Sequence, residues 1–154
     1  MTPIERLKAI CDEVVGDLSL APRPDGTTYC NLAAQRVCKA LGYAAFAGLM
    51  ANQIFDLCSQ SEDWEAADAA DASAAANQGV LCLAAQHGAP HGHVAILYPA
   101  PLVWSQKWGK SAPTLANVGG HNGVMGANWA FATEPSYFIF QGETDDADDT
   151  GQAV

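Results

Sequence analysis

Basic residues are scarce in this chain: 7 lysines and arginines stand against 17 acids, a formal net charge of −10 over 154 residues. That balance removes the counterion-release term on which nucleic-acid binding mostly runs, so DNA and RNA are poor partners. No apolar run approaches the roughly 18–20 residues that cross a bilayer, and the amino end carries Glu5 in a helical pattern where a signal peptide needs an apolar block. The expectation is synthesis in the cytoplasm without a signal peptide, and no membrane partner. CxxC pairs are also missing: Cys11, Cys30, Cys38, Cys58 and Cys82 make an odd, irregularly spaced set. This excludes a disulfide framework and a zinc knuckle. No internal repeat is convincing, which argues against a solenoid.

What is present is a chain 49% hydrophobic and only 16% charged, enough to bury one apolar core. Five of the 17 acids, enough to account for half of the net charge, lie after Gln141: Glu143, Asp145, Asp146, Asp148 and Asp149. Residues 1–142 are therefore expected to form a single domain, and 143–154 a solvated, flexible acidic tail.

Apolar periodicity predicts a helix over 2–18, with Thr2 as N-cap, Pro3 in the first turn and Glu5 completing a capping box. After a loop holding Pro22, Pro24 and Gly26, the Thr27-Thr28 pair can cap a second helix from Cys30 to Leu41, closed by Gly42. A third helix is marked by Met50, Ile54, Leu57 and Cys58, and an alanine-rich fourth is expected from Trp64 to Asn77, stopped by Gly79. The segments 80–85, 93–98, 114–118, 128–132 and 137–141 then read as short strands separated by Gly, Pro and Asn. Helices first and strands afterwards indicate an α+β domain, its N-terminal helices packed on a mostly antiparallel sheet.

Cys30 opens the second helix, where free backbone N–H groups and the positive end of the macrodipole favour a thiolate. The same N–H groups can receive a tetrahedral oxyanion. Position alone favours core packing for such a cysteine; the segment His91-Gly92-His93-Val94-Ala95-Ile96 shifts the balance. His93 begins an apolar strand that should lie in the sheet under the Cys30 helix, sharing its face with the small Ala95. A base needs its second nitrogen fixed, and Asn117 in the next strand is the best-placed acceptor, with His121, Asn122 and Asn128 as competitors. His91, in the loop, is read as a rim or substrate contact. Trp104, in the long connection from Pro99 to Pro113, can border a groove or simply anchor that loop.

With Thr28-Tyr29-Cys30-Asn31 before a helix, His91-Gly92-His93-Val94-Ala95-Ile96 opening a strand and Asn117-Val118-Gly119 in a later one, the chain resembles the NlpC/P60 and CHAP-type peptidoglycan hydrolases over roughly residues 25–141. The resemblance implies a papain-like NlpC/P60 fold and a cysteine peptidase or amidase. In it Cys30 is the nucleophile, His93 the base and acid, and Asn117 the orienter, with no cofactor. Tyr29 would then line the pocket for the substrate, a peptidoglycan peptide, or merely pack, and Asn31 would hold that substrate or simply sit exposed in the first turn. Around the nucleophile NlpC/P60 members usually carry Asp-Cys-Ser; Tyr29-Cys30-Asn31 is nearer the CHAP style, which leaves the cleaved bond open. A wall hydrolase without an export signal fits phage lysis, delivery by a secretion machine, or cytosolic recycling of wall fragments, and a secretion or immunity partner belongs to the second of these.

Two other readings compete. The same fold can bind wall peptides or a protein without catalysis. Alternatively Cys82, His87, His91 and His93, within twelve positions, are acceptable zinc ligands, though their spacing is irregular and has no matched second pair.

Overall fold

A computed structural model describes residues 1–144; of the expected acidic tail, residues 145–154 lie outside the described part. Helix α1 (Pro3–Val15) begins with the expected capping box, in which Thr2 Oγ1 accepts from the Glu5 N–H at 3.1 Å and a Glu5 carboxylate oxygen accepts from the Thr2 N–H. It buries Leu7, Cys11 and Val14 and ends at Gly16, after which Leu18–Leu20 form a 3-10 turn capped by Asp17. Helix α2 (Cys30–Ala40) buries Cys30, Ala33, Ala34, Val37 and Cys38, the stripe its spacing predicts. Its N-cap is Tyr29, however, and no side chain caps it: the Thr27-Thr28 expectation fails because Thr27 instead completes a turn over Asp25. Helix α3 (Ala51–Gln60) buries Ala51, Ile54 and Cys58.

The fourth expected helix is split. Trp64–Ala67 is strand β1, and only Ala69–Ala76 is helix α4, started by an Asp68 side chain that accepts from the Asp71 N–H. Helix propensity loses here to tertiary pairing. Trp64 stacks on Phe46 with centroids 5.4 Å apart, and its Nε1 donates to the Tyr43 hydroxyl, which fixes this stretch against the sheet.

The remaining strands are β2 (Cys82–Gln86), β3 (His93–Leu97), β4 (Val103–Ser105), β5 (Lys110–Ala112), β6 (Thr114–Asn117), β7 (Gly123–Gly126) and β8 (Ser136–Phe140). Five of them join β1 in one six-stranded sheet in the order β1-β8-β2-β3-β6-β7 with every pair antiparallel, while β4 and β5 make a separate hairpin. The molecule is thus α+β, as the order of segments predicts. The expected strand over 128–132 is instead a single turn of helix, α5 (Ala127–Ala130), in which the Phe131 N–H closes on the Ala127 carbonyl. Ala127 and Phe131 are buried one turn apart, a pattern that in so short a window fits either period.

Alternation along the strands splits the core in two. Leu83, Ala85, Val94, Ile96, Ala116, Val118, Phe138 and Phe140 pack with α1, α2 and α3 on one face. Cys82, Ala84, Ala95, Leu97, Leu115 and Tyr137 pack with α4, α5 and the β4–β5 hairpin on the other.

Candidate active site

The site forms where the mouth of α2 meets the start of β3. With no side-chain cap on α2, its first N–H groups are left to other acceptors, and the N–H groups of Cys30 and Asn31, with that of Val94 in β3, favour the Cys30 thiolate. Cys30 is 8% exposed. Burial pushes its thiol above the ordinary cysteine value, and the three N–H donors pull the other way without offsetting it. The free protein therefore holds a thiol, where the helix end alone suggests a thiolate.

His93 and Asn117 meet directly. The imidazole Nε2 lies 2.7 Å from Asn117 Oδ1, and Asn117 Nδ2 donates to the His121 carbonyl at 2.7 Å, so the buried amide is satisfied at both ends. Phe131 packs on one side of the imidazole, with ring centroids 4.8 Å apart. Gly119 lies beside its edge, so close that an added Cβ would sit 3.0 Å from Cε1. Burial lowers the His93 pKa, and the Asn117 hydrogen bond counters this only in part. With Nε2 committed to an amide oxygen as donor, Nδ1 is the basic nitrogen.

Cys30 belongs to the helix-covered face of the sheet with Val94, while His93 packs against Phe131 on the other face. What links the two is the start of β3: Gly92 lines the same cleft as Cys30, and the Val94 N–H favours the Cys30 thiolate. No hydrogen bond joins Cys30 to His93 among the described residues. Of the orienting competitors, His121 offers Asn117 its carbonyl and lines a cavity with His93, while Asn122 accepts from the Gly119 N–H and donates to the Leu20 carbonyl, tying the 119–122 turn to the body of the molecule.

A cleft of about 640 Å³ opens beside the sulfur, lined among others by Asp25, Thr28, Cys30, Asn52, His91 and Gly92. His91 is exposed on its wall, consistent with a rim position. Asn31 also lines it, but its amide donates to the Leu49 carbonyl, alongside a second bond from Gln35 to the same oxygen, and so anchors the approach to α3. Tyr29 is half-buried under the Arg23 guanidinium, 5.6 Å from the ring centroid, and is not among the cleft-lining residues. Trp104, 64% exposed on β4, is not among them either.

Asn52 is the contributor that patterning missed. Its side-chain amide makes a reciprocal pair with the Gly88 backbone, donating to the carbonyl at 2.9 Å and accepting from the N–H at 3.2 Å. One turn later Asp56 accepts from His87 Nε2 at 2.7 Å. Two polar residues four apart on an otherwise amphipathic helix were the available signal, but nothing local says what they hold.

The proposed zinc set does not assemble. Cys82 is fully buried with its thiol on the Val80 carbonyl and His87 is engaged by Asp56. No group of three or more potential ligands comes together among the described residues. No helix there is long and apolar enough to cross a membrane. In comparisons with known proteins, no family model matches the chain, and no curated protein matches it.

Proposed function

We propose that this protein is a papain-like cysteine hydrolase cleaving an amide bond in peptidoglycan stem peptides. One observation carries the reading: a buried cysteine at the uncapped mouth of α2 lines a 640 Å³ cleft together with Gly92, the residue before an imidazole fixed through Nε2 on Asn117. A nucleophile, a base and an orienting group in chain proximity are what acyl transfer needs. At rest the pair is a thiol and a neutral imidazole. Catalytic hydrogen bonds that are long in the free enzyme tighten when substrate fills the site.

In the reaction, the Cys30 proton passes to His93 Nδ1 as sulfur attacks the amide carbon. The oxyanion takes hydrogen bonds from N–H groups at the head of α2. Collapse breaks the C–N bond, and the departing nitrogen takes the proton from His93, leaving a thioester on Cys30. Water, deprotonated by the same imidazole, hydrolyses the thioester to a carboxylic acid and restores the thiol. No step calls on a cofactor.

Mass spectrometry of muropeptides incubated with the protein tests this: wild type should yield paired fragments that together exceed the parent by one water, and Cys30→Ala should yield none. Intact muropeptides with wild type, across the neutral range, would sink the proposal.

A second reading keeps the cleft without the chemistry, as a module that binds wall peptides or a partner protein. The raised Cys30 thiol and the missing Cys30–His93 hydrogen bond favour it. Saturable binding of uncleaved muropeptides, undiminished in Cys30→Ala, would decide for it.

A further inference from the structure

We propose that Met50 is a reversible oxidation site through which a hydroperoxide switches off the Cys30 cleft, with the Asn31 amide deciding which side of the sulfur is attacked; the switching rests on the hydrolase reading above, the oxidation does not. Met50 lines the cleft together with Cys30 and Asn31 and is 53% exposed, whereas Cys30 is 8% exposed. Of the two sulfurs on this wall, an oxidant entering from solvent therefore meets the thioether first. A thioether carries no proton, so its attack on a peroxide does not wait for a thiolate to form.

The backbone at Met50 is held independently of its side chain. Its N–H donates to Gln53 Oε1 at 2.9 Å, and its carbonyl accepts from the Ile54 N–H at 2.9 Å in the first turn of α3. The sulfur accepts from Asn31 Nδ2 at 3.8 Å. The same amide donates to the Leu49 carbonyl at 3.2 Å, an oxygen that also accepts from Gln35 Nε2 at 3.0 Å. Asn31 is thus anchored on backbone through one N–H while the other covers one of the two lone pairs on the sulfur. Because Gln35 stays on the Leu49 carbonyl, removing the Asn31 amide leaves no orphaned oxygen behind.

With hydrogen peroxide, the uncovered lone pair attacks one peroxide oxygen. An S–O bond forms and the O–O bond breaks, its electron pair leaving with the second oxygen as hydroxide. That hydroxide takes the proton from the new S–OH group, which gives the sulfoxide and one water. Sulfur is oxidised by two electrons and the peroxide is reduced by two. Attack through one lone pair or the other gives one sulfoxide epimer or the other, and each epimer is returned to the thioether by its own reductase. With one lone pair under the Asn31 amide, a single epimer predominates. The product is a polar side chain on the wall that held a flexible apolar one, so a substrate packed against the thioether loses that contact.

The test is brief treatment of the folded protein with hydrogen peroxide, then a thiol reductant to return reversibly oxidised cysteine to the thiol. Part of the sample is digested and mass-mapped before and after each of the two epimer-specific methionine sulfoxide reductases. In wild type one reductase should clear nearly all of the Met50 sulfoxide and the other almost none; in Asn31→Ala the two should clear comparable shares. Comparable shares in wild type, or a one-sided result in Asn31→Ala, overturns the role of the amide. In the undigested part, kcat/KM on the muropeptide that wild type cuts should fall about tenfold, the low end of what one altered group does in a pocket. The rate should return with the matching reductase, and Met50→Leu treated alike should hold its own untreated rate. An oxidised wild type at full rate, a loss the reductase does not reverse, or an equal loss in Met50→Leu overturns the switch. A wild type that cuts no muropeptide before any peroxide is added overturns the hydrolase reading and the switch together, and the epimer shares then decide the oxidation site alone.

Discussion

Asn117 is one of three buried polar residues among those described, and its oxygen is the group that holds His93 in orientation. In Asn117→Ala the imidazole loses both its partner and the hydrogen bond that raises its pKa, leaving burial unopposed. Losing a buried partner costs about 1–3 kcal/mol, so kcat/KM should fall roughly tenfold to hundredfold. The acid limb of the pH–rate profile should move to lower pH. A profile that keeps its acid limb in place would remove Asn117 from the base. The same scale shows what a sequence can and cannot display. Parity along β3 and β6 places His93 and Asn117 on a common face, and that much follows from period-two alternation. The approach of the Cys30 sulfur from the opposite face does not follow, because it depends on how far α2 slides along the sheet. Among the five thiols only Cys30 lines the 640 Å³ cleft. In folded protein, mass mapping after brief alkylation should therefore find Cys30 modified before Cys11, Cys38, Cys58 and Cys82, with a rate that climbs with pH because burial holds its proton.

The β2–β3 loop is strapped to α3 at two points, Gly88 on Asn52 and His87 on Asp56. Gly92 closes the strap: a Cβ there would lie 2.2 Å from Asn52 Oδ1 and 2.5 Å from the Gln86 carbonyl oxygen. Gly92→Ala should destabilise by about 1–3 kcal/mol, the usual cost of overpacking, and should displace His93. Because the Gln86 oxygen is backbone, adding Asn52→Ala should not restore the melting temperature; full recovery in the double variant would assign the clash to Asn52 alone. Elements with a full amphipathic stripe, α1, α2 and α3, were legible to within a few residues. Those that depend on distant partners were not. Alanine richness hid β1, whose form comes from pairing with β8, and four residues at 127–130 could not declare a helix over a strand. The β4–β5 hairpin and β7 are too short to show any period.

Across the whole molecule, buried titratable groups set a pH window. All five thiols have raised pKa values, pushed up to about 12 for Cys11, Cys58 and Cys82, with desolvation the first cause in each case. The unfolded chain loses those protons near the ordinary value of 9.0 while the folded one keeps them, so stability is full below 9.0 and declines as pH rises beyond it. His93 acts at the other end. Its folded pKa lies below 6.5, so the unfolded chain binds the extra proton and stability declines as pH drops under 6.5. Melting temperatures taken under reductant from about pH 5 to about pH 11 should show a plateau between these limits with losses on both sides. A midpoint still rising above 9.0 would contradict the buried-thiol account. The α+β class itself was readable from the order of segments, but the order of strands within the sheet was not.

That strand order bears on how the molecule comes into being. Strand β8 ends at Phe140, yet it lies between β1 and β2, and β1 has no other neighbour in the sheet. As a ribosome releases the chain, Trp64–Ala67 must wait some seventy residues for a mate, and meanwhile β2 shows one unzipped edge. Closure over so long a separation is slow, so the sheet is sealed only after nearly all of the described chain has emerged.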